Sequence, residues 1–65
     1  MGQMKRLIDE LIRLKSNGNT FQALNIEMKL MLKGIPVKKI TTETPDDEKI
    51  IGLIYEAAKD FNIEL

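Results

Sequence analysis

The 65-residue sequence contains no cysteine, no histidine and no tryptophan. Without cysteine the chain has neither disulfides nor thiolate metal ligands, and without histidine it lacks imidazole ligands and the commonest general base. The lack of cysteine also fits a reducing compartment, and we therefore predict a cytoplasmic location. A domain this small must then obtain its stability from helix packing or from oligomerisation.

Residues that could carry out catalysis are also scarce. Ser16 is the only serine, and no base lies near it in the sequence. The sequence has no glycine-rich phosphate loop and no metal-ligand spacing. The acidic cluster Asp46-Asp47-Glu48 is more simply a helix start, because negative charge is favoured in a first helical turn. We predict that the protein is not an enzyme and has no cofactor, metal ion or small-molecule substrate.

Long apolar runs are absent as well. No run approaches the roughly 20 residues that span a bilayer, and the N-terminus MGQMKRLIDELI lacks the apolar segment of a signal peptide. We expect no membrane contact. The formal net charge is zero but unevenly distributed, since residues 1–42 carry eight basic and three acidic residues (+5) and residues 43–65 carry two and seven (−5). Such asymmetry can mark a nucleic-acid or membrane surface, but packing of the acidic part beside the basic part is the simpler interpretation.

Apolar residues recur at helical spacing in three segments, which predicts an all-α fold. Residues 3–15 carry one broad apolar stripe, and opposite charges four residues apart, such as Arg6–Glu10 and Asp9–Arg13, mark the solvent-facing side. Asn17 and Gly18 suit a helix end, and Asn19 or Thr20 can cap the next helix. Helix two then runs over 20–33. So short a connection predicts a hairpin of antiparallel helices.

The last predicted helix covers residues 45–61. Thr44 is the predicted N-cap, with Pro45 at the first helical position. The preceding residues 34–44 are predicted to form an ordered loop that Ile35, Val37 and Ile40 pin to the hairpin. The whole chain, 1–65, is therefore predicted to be a single compact three-helix domain.

Helix two has two apolar stripes, whereas a surface helix ordinarily has one. The first stripe consists of Phe21, Leu24, Met28 and Met31, whose spacing alternates between three and four, and Ile35 continues the line. The second stripe consists of Ala23, Ile26 and Leu30, on nearly the opposite side. We therefore place helix two at the centre of the fold. The predicted core comprises Leu11, Leu24, Met28, Ile54 and Phe61.

A three-helix chain does not easily cover both stripes, so we expect a partner on the second one. The leading hypothesis is a non-catalytic protein–protein interaction module, a small regulator or accessory protein, that contacts another protein or a second copy of itself through Ala23, Ile26 and Leu30. A domain normally joined to a larger partner is a further interpretation.

The alternative function is DNA or RNA binding through a lysine cluster formed by Lys29, Lys33, Lys38 and Lys39. Two features count against it. Helix two has no arginine, the commonest reader of guanine edges. The chain also has one tyrosine and no tryptophan, which makes a base-stacking platform improbable.

Overall fold

A computed structural model describes residues 2–65. It contains three α-helices, α1 (Gln3–Ser16), α2 (Thr20–Leu32) and α3 (Glu48–Asp60), and a 3₁₀ turn (Val37–Lys39) in the connection between α2 and α3. The described residues form a globule of 29 × 20 × 19 Å. The predicted all-α class and the three-helix architecture are confirmed, and the first two helices lie within one residue of their predicted bounds.

The helix that packs against both others is α1. Its buried apolar residues are Met4, Leu7, Ile8 and Leu11, and its contact with α2 is more extensive than its contact with α3. The prediction that helix two is central is wrong, because α2 buries only one of its faces. Of the predicted core, Leu11 and Ile54 are fully buried and Phe61 packs against the core from its edge, whereas Leu24 and Met28 are exposed.

The hairpin connection forms as its sequence predicts. Asn17 adopts left-handed backbone angles (φ 50°) and donates its N–H to the carbonyl of Arg13. The side chain of Asn19 then accepts a hydrogen bond of 3.1 Å from the backbone N–H of Gln22, which caps α2.

The connection from α2 to α3 is an ordered loop, as predicted. Ile35, Val37 and Ile40 are all buried and belong to the same apolar cluster as the residues of α1. A turn follows, in which the hydroxyl of Thr44 accepts the backbone N–H of Thr41 at 2.8 Å.

The third helix begins three residues later than predicted. Its N-cap is Asp47, whose side chain accepts the N–H of Lys49 at 2.9 Å, and not Thr44. The hydroxyl of Thr44 is engaged in the preceding turn. Asp46 also lies outside α3 and accepts the backbone N–H groups of Gln3 and Met4 at the start of α1. The acidic cluster therefore serves two helix N-termini.

Candidate interaction surface

The second stripe of α2 faces the core. Ile26 is 2% exposed and Leu30 is 0% exposed, and Ala23 is half-buried beside them. The prediction that these three residues form an uncovered surface is therefore wrong. In the folded chain Ile26 and Leu30 belong to the same cluster as the buried residues of α1, and they are not accessible to a partner.

The end of α2 explains why this stripe faces inward. Gly34 has a φ of 94°, its N–H bonds to the carbonyl of Met31, and the N–H of Ile35 bonds to the carbonyl of Leu30 at 3.1 Å. This is a Schellman motif, which brings the second residue after the C-cap, here Ile35 after Lys33, onto the side of the residue five positions earlier. Ile35 is fully buried and accordingly lies with Leu30, and it does not continue the first stripe.

The first stripe is exposed instead. Together with Leu32 it forms what we call the outer face of α2. The exposed fractions of its members are 81% for Phe21, 50% for Leu24, 59% for Met28, 38% for Met31 and 85% for Leu32. At about 100° per residue these five positions fall opposite Ile26 and Leu30 on the helix. Five large apolar side chains therefore share one solvent-facing surface.

Polar side chains border the outer face. Gln22, Asn25 and Lys29 lie along one flank of the helix, and Glu27 lies on the other. None of the five members of the outer face is charged or polar. The surface is therefore an apolar strip with a polar rim, which is the usual arrangement of a protein–protein contact.

The lysine cluster is divided between two locations. Lys33 forms an ion pair with Asp60, and the ammonium of Lys29 lies 5.9 Å from the centre of the Phe61 ring. Both lysines therefore contact the C-terminal end of α3, where positive charge is favoured by the helix dipole. Lys38 and Lys39 lie on the 3₁₀ turn and are exposed. Half of the predicted polyanion surface is thus engaged within the chain.

Charge interactions also order the exposed side of α1. Lys5 pairs with Asp9 at 2.9 Å, and Glu10 pairs with Arg13, three residues on, rather than with Arg6. The hydrogen bond from the Arg13 guanidinium lowers the pKa of Glu10 below its ordinary value and raises the pKa of Arg13. Both groups are exposed, so these shifts reflect a surface ion pair and not a catalytic environment.

Ser16 is buried at the end of α1. A surface depression of about 270 Å³ between α1, the 3₁₀ turn and α3 is lined mainly by apolar residues, including Met4, Ile40 and Ile50.

Residues 2–65 contain no group of three acidic side chains placed to hold a metal ion. Within that range no helix has the length and apolarity to cross a membrane.

Comparisons with known proteins provide no relative. No protein-family model matches the sequence, and no curated protein or solved structure is detectably similar to it. A functional assignment therefore depends on the surface of this chain, on which the outer face of α2 is the largest group of exposed apolar side chains on one helix.

Proposed function

We propose that the protein is a non-catalytic protein–protein interaction module that self-associates through the outer face of α2. The observation that carries the proposal is the exposure of Phe21, Leu24, Met28, Met31 and Leu32 on one side of one helix. Monomeric proteins seldom expose so large a contiguous apolar surface without a binding role. The cysteine-free composition favours a reducing compartment, and we place the protein in the cytoplasm.

The size of the outer face suits a second copy of the chain. If a fully exposed large apolar residue presents on the order of 150–200 Å², the five exposed fractions amount to roughly 500–600 Å² per chain. Two such faces would cover at most about 1,000–1,200 Å² between them, which is close to the lower limit for a specific protein–protein interface. Contacts from the polar rim add to that area.

The charge of the molecule is also compatible with self-association. The formal net charge is zero, so two copies do not repel each other as whole bodies. The first stripe has the three-and-four spacing with which paired helices interlock their side chains. An apolar strip with this spacing can pack against an identical strip.

Sedimentation equilibrium of the wild-type chain tests the proposal. Loading concentrations from about 1 μM to about 1 mM cover association free energies of roughly −8 to −4 kcal/mol. We expect the average mass to rise from monomer to dimer over this range. A monomer at every concentration would overturn the proposal and would direct attention to a different protein as partner.

Three variants test whether the outer face of α2 forms the contact between the two copies. Met28→Gln and Leu32→Gln introduce a polar side chain on the outer face and should abolish dimerisation while the helical circular dichroism signal is retained. Tyr55→Gln makes a comparable change at an exposed residue of α3 and should leave the dimer intact. Equal association of all three variants would exclude the outer face as the contact.

A further inference from the structure

The sulfur atoms of this protein are unevenly placed. With no cysteine in the chain, methionine is its only sulfur-containing residue. Among residues 2–65, Met28 and Met31 lie on the outer face with exposed fractions of 59% and 38%, whereas Met4 is 2% exposed in the core. The accessible thioethers therefore coincide with the proposed contact surface.

Exposed thioethers react with hydroperoxides. A lone pair of the methionine sulfur attacks one peroxide oxygen, the O–O bond breaks, and a proton transfer releases water or an alcohol. The sulfur loses two electrons to become a sulfoxide, and the peroxide is reduced. The reaction converts an apolar, flexible side chain into one with a strongly polar S–O group, and it is reversible by methionine sulfoxide reductases.

We infer that oxidation of Met28 and Met31 by hydroperoxides switches off self-association through the outer face of α2. The inference depends on the proposed function, because it concerns the same surface. A sulfoxide oxygen in that contact would be removed from water among the side chains of Phe21, Leu24 and Leu32, which offer no hydrogen-bond donor. The fold itself should tolerate the change, because both side chains are exposed and neither belongs to the core cluster.

Dimerisation should protect Met28 and Met31 from oxidation, and their oxidation should in turn weaken dimerisation. A dimer covers Met28 and Met31, so a peroxide reaches them mainly in the dissociated chain. The rate of their oxidation should then fall as the protein concentration rises through the dissociation constant. Oxidised chains pair more weakly, so each oxidation event shifts the population toward monomer.

The experiment treats the full chain with hydrogen peroxide, locates the sulfoxides by peptide mass spectrometry and measures association by sedimentation equilibrium. We expect Met28 and Met31 to be oxidised well before Met4. We also expect the dissociation constant to rise at least about 100-fold, because full oxidation places four sulfoxides in each dimer and two without a hydrogen bond already weaken association about tenfold each.

A double variant, Met28→Leu with Met31→Leu, provides the matched control. It keeps the outer face apolar and retains Met1 and Met4. Its dissociation constant should be the same before and after peroxide treatment, because no thioether remains on the outer face. Untreated wild-type chain that does not associate would refute the proposed function, and with it this inference. Untreated chain that associates, and still does so with unchanged affinity once Met28 and Met31 are fully oxidised, would refute the inference alone.

Discussion

The carboxylate of Asp46 joins the connection before α3 to Gln3 and Met4 at the start of α1. Its Oδ1 atom accepts the backbone N–H of Gln3 at 3.1 Å, and the same oxygen accepts the N–H of Met4 at 3.3 Å. The first N–H groups of a helix have no partner within the helix, and a carboxylate there also interacts favourably with the helix dipole. Asp46 therefore acts as an N-cap for α1 from 43 residues away.

Removal of this cap should destabilise the fold. We expect Asp46→Ala to lower the free energy of unfolding by about 1–2 kcal/mol, because N–H groups of α1 lose their acceptor. Asp46→Asn keeps an acceptor oxygen but loses the charge, so its effect should be smaller. Urea denaturation followed by circular dichroism measures both. If Asp46→Ala left the unfolding midpoint unchanged, the connection before α3 would not cap α1 in solution.

The two faces of α2 allow a matched comparison with one type of substitution. Leu30 is fully buried and Leu32 is 85% exposed, two positions apart on the same helix. Leu30→Ala should cost about 2–5 kcal/mol of stability, because it leaves a cavity in the core. Leu32→Ala should change stability by no more than about 0.5 kcal/mol in the monomer.

Thermal denaturation at a concentration below any dimerisation measures this difference. Ile26→Glu extends the comparison, since a charge buried in the core should unfold the chain rather than give a soluble monomer. Similar losses from Leu30→Ala and Leu32→Ala would mean that both faces of α2 are covered within one chain.

Periodicity predicted the elements of this fold but not the orientation of α2. The alternation of apolar and polar residues located three helices, and Asn17 and Asn19 marked the hairpin connection. Two apolar stripes on one helix compete for the core, however, and the prediction assigned the first to it through Leu24 and Met28. The structure buries the second, and so the proposed interaction surface moved to the other side of the same helix.

A local signal for the correct face was present in the sequence. Gly34 followed by Ile35 is the pattern of a Schellman motif, in which the residue after the glycine contacts the side of Leu30. This would have identified the side of Leu30 as the inner one. No comparable signal shows that Asp46 caps α1, because that contact depends on how the chain returns to its N-terminus.

Gly34 and Gly52 have different backbone conformations, so their replacement by alanine should change the stability of the fold in opposite directions. Gly52 lies in the interior of α3, is exposed, and has open space where a Cβ would stand. Gly52→Ala should stabilise the fold by about 1 kcal/mol, through the higher helix propensity of alanine. Gly34 has a φ of 94°, so Gly34→Ala should be destabilising by about 1–2 kcal/mol.

The free energies of unfolding of the two glycine variants are measured by chemical denaturation, with the wild type as reference. The loss of stability expected for Gly34→Ala comes from its backbone conformation and not from a steric clash, since a Cβ at Gly34 would meet nothing closer than 3.9 Å. A destabilised Gly52→Ala variant would indicate that something approaches the outer side of α3 closely in solution.

The ion pair between Glu10 and Arg13 on α1 predicts how the stability of the fold changes with pH. The hydrogen bond from Arg13 lowers the pKa of Glu10 in the folded chain. A carboxylate whose pKa is lower in the folded than in the unfolded state stabilises the fold above its unfolded pKa of about 4.3. That contribution is lost as the pH falls through the folded-state pKa. Arg13→Ala should therefore raise the pKa of Glu10 toward its ordinary value and make stability less sensitive to acid in this range.

NMR titration of the Glu10 side-chain carboxyl measures the shift directly. Arg6→Ala is the matched control, because Arg6 also lowers the pKa of Glu10 but is the weakest of its influences. We expect the pKa of Glu10 to rise more in Arg13→Ala than in Arg6→Ala. The reverse order would mean that Glu10 pairs in solution with Arg6, four residues before it, as the spacing of charges in the sequence alone had suggested.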